Sequence, residues 1–209
     1  MRRIALLALL VLATLVAAGC GQFGKQYTGE SSATDAAGEE KRITDADFDE
    51  AARKEAGCTE VKEFESEGST HIDKSEQATY EHNPPHSGDH WNDPSVEAPA
   101  DWGLYDETLE EEQWVHNLEH GHIVITFKGL SRKQEDELYE MVEINPFHIV
   151  VMPRKQNPKK GVYYTVWTAE LYCKEPNEAA LQYMIDEWRD QGPELFTNDP
   201  GRESDERDS

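Results

Sequence analysis

The pattern of apolar positions changes several times along the chain, and each change marks an expected element. Residues 4–18 form an almost unbroken apolar run behind Arg2 and Arg3. This is about the length of a signal-peptide core and falls short of the roughly 20 residues that a membrane span needs. Residues 21–41 have no apolar period and are rich in Gly, Ser, Thr, Ala and acids, which is the composition of a disordered tether. Thr44-Asp45-Ala46-Asp47 then reads as the capped start of a helix that runs through about Glu55 and stops at Gly57. Residues 80–99 are crowded with Pro, Gly, Asn, Asp and His, so they predict an ordered loop rather than a regular element.

The second half is more regular. Residues 109–120 predict a short helix, with Glu110, Glu111 and Glu112 suited to its first turn and Gly121 to its C-cap. A strand is expected at residues 122–127. A helix follows from Ser131 to about Glu143, with Leu138, Met141 and Val142 as its inward stripe. Residues 147–152 and 162–169 predict two further strands joined by a polar turn around Asn157-Pro158-Lys159-Lys160-Gly161. The last helix opens after Pro176-Asn177 and runs to about Arg189, with Leu181, Met184, Ile185 and Trp188 on one side. The order β-α-β-β-α behind a loop-rich N-terminal half predicts an α+β domain, a small, largely antiparallel sheet with helices on one face. The expected organisation is a signal peptide over 1–19, a lipidated cysteine and tether over 20–42, one globular domain over 43–196 and a disordered acidic tail over 197–209.

The leader ends in Ala17-Ala18-Gly19-Cys20, which resembles the lipobox at which bacterial lipoproteins are lipidated on sulfur and then cut. The expectation is an extracytoplasmic lipoprotein on the outer face of the cytoplasmic membrane or cell envelope, with the membrane as partner through lipidated Cys20. Lasting attachment needs two or more acyl chains, which that modification supplies. A plain secretory signal cleaved near Ala18 or Gly19 is the alternative. With Cys20 so used, Cys58 and Cys173 remain as an even pair in an oxidising compartment, and a disulfide is expected. Closing so long a loop would stabilise by about 4 kcal/mol in the chain-entropy model; a thiol metal site is the rival reading.

A net charge of −23, from 43 acidic and 20 basic residues, repels nucleic acid and anionic headgroups and excludes both as direct partners. The chemical signal lies in the eight histidines. His82, His86 and His90 share one loop, while His116, His120 and His122 lie in His116-Asn-Leu-Glu-His-Gly-His122. Histidines four apart on a helix share a face, so His116 and His120 can reach one ion. Glu119, one step round the helix, is a candidate ligand or orienting group. Pro-Pro and Ser-Gly steps restrict the other loop and bring His82 and His90 within reach of that pair. The expected metal set is therefore His82, His90, His116, His120 and Glu119. Its nitrogen-rich character favours a transition metal, copper ahead of zinc.

The remaining histidines have plainer readings: His71 isolated, His86 an exposed loop residue, His122 half exposed and His148 a core or edge residue. Met152 offers a soft sulfur but reads first as packing, and Trp102, Tyr105 and Trp167 as core or pocket wall. Two other function classes stay open. His116-x-x-Glu119-His120 fits the H-x-x-E-H pattern of zinc peptidases in which the glutamate activates water, which would make Glu119 catalytic. A metal-free structural or interaction protein, its histidines knitting loop to sheet, is the third.

Three motifs complete the reading: Tyr80-x-His82-x-Pro84-Pro85-x-Ser87-Gly88-x-His90, then Trp102-Gly103-x-Tyr105 and His116-Asn-Leu-Glu-His-Gly121, then Gly192-Pro193-Glu194. Together they resemble the bacterial family called domain of unknown function 3105, across roughly residues 58–194. The resemblance supports the choice of His82, His90, His116 and His120, does not extend to His86, and brings no established activity. Members resemble this chain in having a leader or membrane anchor.

Overall fold

The computed structural model describes Glu55 and residues 57–194. The expected signal peptide, Cys20, the tether, the acidic tail and nearly all of the first expected helix lie outside the described residues. Among those described, no helix is long and apolar enough to cross a membrane.

A six-stranded sheet forms the centre, built from β1 (Lys62–Glu63), β4 (Gly103–Leu104), β5 (Ile123–Lys128), β6 (Ile149–Pro153), β7 (Gly161–Val166) and β8 (Ala169–Cys173) in the order β1-β8-β7-β5-β6-β4. The β1–β8, β8–β7 and β7–β5 pairs are antiparallel, while β5–β6 and β6–β4 are parallel. Two further strands, β2 (His71–Ile72) and β3 (His90–Trp91), form a separate parallel ribbon. Among the described residues three helices complete the α+β fold: α1 (Glu111–Glu119), α2 (Arg132–Ile144) and α3 (Glu178–Trp188).

Side chains alternate across a strand, and here both sets are buried. Ile123, Ile125, Ile149 and Val151 pack with Leu138 and Val142 of α2 and with Leu181 and Met184 of α3. Val124, Val150 and Met152 pack instead with Trp114, Val115 and Leu118 of α1. The expectation of helices on one face thus holds for α2 and α3 and is corrected for α1, which belongs to a different core cluster. The near-continuous apolar run Ile123-Val124-Ile125 carries that information, because such runs belong to strands covered on both sides. The third expected strand is also corrected at its end: residues 162–166 belong to β7, Trp167 and Thr168 form a turn, and Ala169 begins β8. Thr168 makes the turn at φ +57°, a conformation that β-branched residues rarely adopt, so no Gly, Asn or Asp marked it in the sequence.

α1 is nearly all buried, from Glu112 and Trp114 through to Glu119. Its apolar side meets the sheet, and its polar side chains satisfy the backbone of the irregular segment that wraps it. The Glu112 carboxylate accepts from the Ala78 N–H at 2.8 Å, and the Gln113 amide donates to the Val96 carbonyl at 2.6 Å. The Asn117 amide donates to the Ala100 carbonyl at 2.7 Å while its oxygen accepts from the Ala100 N–H at 3.0 Å. Backbone groups buried away from water need such partners, and a segment with so few ladder bonds must take them from side chains.

The helix stops at Gly121, whose φ is +81°. A Cβ there would lie 2.7 Å from the Asp190 Cα, so glycine is required by conformation and by space alike. The chain after α3 packs against this end, with the Asp190 N–H on the Gly121 carbonyl at 2.8 Å and the Glu194 N–H on the Glu119 carbonyl at 3.1 Å. The buried Arg154 donates to Asn83 at 2.6 Å and to Asn157 at 2.9 Å, and it pairs with Glu111 at the start of α1. Cys58 and Cys173 are disulfide-bonded, which joins the segment before β1 to the end of β8.

Asn117→Ala leaves both Ala100 backbone groups buried without their partner. The expected cost is about 3 kcal/mol, read from chemical denaturation of the chain. A loss below about 1 kcal/mol would mean that the loop holds without this clamp.

Candidate metal centre

The ribbon places His71 of β2 directly opposite His90 of β3. α1 sets His116 and Glu119, three apart and so on one face, against the same place. Each of the four residues offers one ligand atom, and these atoms all lie within 4.8 Å of one another. His90, His116 and Glu119 are buried, while the His71 side chain is 35% exposed and forms the outer wall. Glu119 Oε2 lies 2.9 Å from His90 Nε2 and 3.3 Å from His71 Nε2. His120, one turn beyond His116, puts its Nε2 2.9 Å from His116 Nε2.

The protons in this cluster can be placed by hydrogen-bond logic. His90 Nδ1 lies 2.8 Å from the Gly88 carbonyl, His116 Nδ1 2.7 Å from the Trp91 carbonyl and His120 Nδ1 2.7 Å from the Glu194 carbonyl. A carbonyl oxygen only accepts, so in each ring Nδ1 carries the proton. A neutral ring then presents a bare lone pair at Nε2. Burial pushes the His116 imidazole down to about 3, and the neighbouring His90 and His120 push it the same way; burial also lowers His120. The result is an inward face with lone pair against lone pair between His116 and His120, and with His90 Nε2 turned to the Glu119 carboxylate at 2.9 Å. Such an arrangement is repulsive unless a cation, a proton or a metal ion, sits among the atoms. Histidine ligands with Nδ1–H held by a backbone carbonyl and Nε2 directed inward are the usual pattern at metal sites.

His71 differs from the other three. It accepts at Nδ1 from the Asn92 amide at 3.2 Å, so its proton lies on Nε2 and points at Glu119. A half-turn of the Asn92 amide would let its oxygen accept from Nδ1 instead, freeing His71 Nε2 for an ion.

Of the five residues expected as ligands, the structure brings His90, His116 and Glu119 into one group, with His120 joined to it through His116. His82 is not among them. It sits with Glu67 and His86 in a second group whose ligand atoms also lie within 4.8 Å of one another. His86 is fully buried rather than exposed, and burial pushes it down to about 4. His71, isolated in sequence, enters the first group through the register of two two-residue strands, for which no local sequence signal exists. Glu67 was equally hidden, as one acid in an acid-rich stretch. His122 is buried rather than half exposed; its ring stacks on His148 at 4.3 Å, and its Nδ1 lies 2.9 Å from the Asn117 amide. Met152 belongs to the core, and Trp102 is 46% exposed rather than core.

The shared motifs acquire physical reasons from this geometry. In His116-Asn-Leu-Glu-His-Gly121 the residues are, in order, an inward imidazole, the loop clamp, a core side chain, the carboxylate, a second inward imidazole and the helix stop. In Gly192-Pro193-Glu194, a Cβ on Gly192 would fall on the Glu119 carbonyl, and the Glu194 carbonyl orients His120. Gly88 has φ +122°, and a Cβ there would lie 2.9 Å from the Tyr80 ring. Neither curated proteins nor solved structures give a match to this chain. The model of the family described as protein of unknown function (DUF3105) matches residues 71–201, more than half of the chain and all four residues of the first group. The chain therefore belongs to the DUF3105 family.

Proposed function

We propose that this chain is an extracytoplasmic, membrane-anchored module that holds a transition-metal ion between His90, His116 and Glu119, with His71 closing the site. The observation that carries this reading is the set of Nδ1–H bonds to the Gly88, Trp91 and Glu194 carbonyls, which turn Nε2 of His116 and His120 toward each other and Nε2 of His90 toward a carboxylate. A tetrahedral ion bound at about 2.0 Å separates its ligand atoms by roughly 3.3 Å, close to the spacings already present here. The ion would compensate the converging lone pairs that the fold holds together.

The donors are nitrogen and oxygen. The Met152 sulfur lies in the core and accepts from the Leu109 N–H at 3.4 Å, and Cys58 and Cys173 hold each other. Such a set suits Cu(II) first and Zn(II) second, since nitrogen sites follow the Irving–Williams order. The burial of Glu119 and its contacts with His90 and His71 support reading it as a ligand rather than as a base for water. This favours a role in metal storage, delivery or sensing over hydrolysis.

Titrating the full chain with Cu(II) and Zn(II), purified without a His tag, is the test. Exchanging His116 for Ala should weaken binding at this site at least tenfold. Unchanged affinity for both ions would end the proposal. Glu119→Gln separates the classes: a ligand loses affinity, whereas a catalytic base leaves binding intact and abolishes turnover.

The anchor rests on Ala17-Ala18-Gly19-Cys20 and the preceding apolar run. With Cys20 lipidated, the native chain should partition into detergent phase from bacterial membranes and Cys20→Ser should not. Equal partitioning of the two would remove the lipid from the account.

A further inference from the structure

We infer that Glu67, His82 and His86 form a second site for a borderline divalent transition-metal ion, separate from the first and open to solvent. His82 and His86 offer nitrogens and Glu67 an oxygen, all within 4.8 Å of one another. Two imidazoles and one carboxylate make a donor set that holds Zn(II) or Cu(II) and leaves positions for water. The partly open coordination follows from exposure: the His82 side chain is 37% exposed, that of Glu67 10%, and His86 is not exposed at all.

The strongest pointer is His86. Its ring is fully buried, and neither of its nitrogens has a hydrogen-bond partner among the described residues. Buried polar atoms are nearly always partnered, and an exception calls for a cause. The ring is not loosely placed. It stacks on Phe64 at 4.0 Å, and its backbone carbonyl accepts from the Thr168 N–H at 2.9 Å. His82 meets the edge of the same Phe64 ring at 4.7 Å and lies 4.4 Å from His86.

Glu67 is fixed as well. One carboxylate oxygen accepts from the Glu81 N–H at 2.7 Å and the other accepts from the His82 Nδ1–H at 2.6 Å. Its own N–H is held by the Ser87 hydroxyl at 2.9 Å. Three donors from two chain segments are thus positioned by contacts independent of any ion, and the buried histidine is the one whose ring nitrogens have no hydrogen-bond partner among the described residues. No residue of this group belongs to the first, so the two sites are tested separately.

The experiment is equilibrium dialysis of the full chain in detergent against Zn(II), repeated with Co(II), whose visible absorption reports ligand geometry. The native chain is expected to hold two equivalents. The double variant Glu67→Gln/His82→Ala should hold one, as should His86→Phe, which keeps the stack on Phe64 and removes both nitrogens. His90→Ala/His116→Ala should also hold one, with the Co(II) spectrum of the other site. Near-ultraviolet circular dichroism identifies the variants that keep the fold. One equivalent in the native chain that survives in folded Glu67→Gln/His82→Ala overturns the second site and leaves the first standing. An equivalent lost in Glu67→Gln/His82→Ala, with none lost in His90→Ala/His116→Ala, does the reverse.

Discussion

Everything distinctive in this protein follows from the need of an irregular segment to find partners for its buried backbone. Residues 71–103 contribute only short strands and a single 3-10 turn, so few of their N–H and C=O groups are met by a ladder. α1 meets them instead. Glu112, Gln113, His116 and Asn117 each bond a different point of the surrounding chain, and His120 does the same for the segment after α3. A helix between the sheet and this wrapping can afford almost no surface for water, which is why its polar residues are as buried as its apolar ones.

The same bonds prepare the chemistry. An imidazole has two nitrogens, and using Nδ1 to hold a carbonyl fixes both the tautomer and the direction of Nε2. Loop knitting and metal binding are therefore not rival explanations for His90 and His116. The knitting half of each ring explains why the fold needs histidine near the loop. It leaves the other half unexplained, because a fold that needed only a donor would not set His116 Nε2 against His120 Nε2 at 2.9 Å.

The sequence made part of this legible. Of the second half, α2, α3, β5 and β6 appear where hydrophobic period and capping residues put them, because they are governed by local pattern. His116 and Glu119 were readable from helical spacing alone, and His90 from the rigid loop before it. His82 stands with Glu67 and His86 rather than beside His116, because the loop turns at Asn83, Pro84 and Pro85, a path that composition does not specify. His71 and Glu67 were out of reach, since only the parallel pairing of β2 with β3 and the return of the chain past Ser87 bring them in. The placement of α1 on the far side of the sheet was encoded in the unbroken apolar run of β5, which reports two covered faces.

The most direct measurement of the central claim is anomalous diffraction at the copper edge from crystals of the protein loaded with Cu(II). The account predicts a peak about 2.0 to 2.2 Å from His90 Nε2, His116 Nε2 and a Glu119 oxygen, with the Nδ1 bonds to Gly88 and Trp91 kept. Absence of a peak at that position, with His116 Nε2 still against His120 Nε2, would contradict it and leave these histidines as structural bracing held by a shared proton.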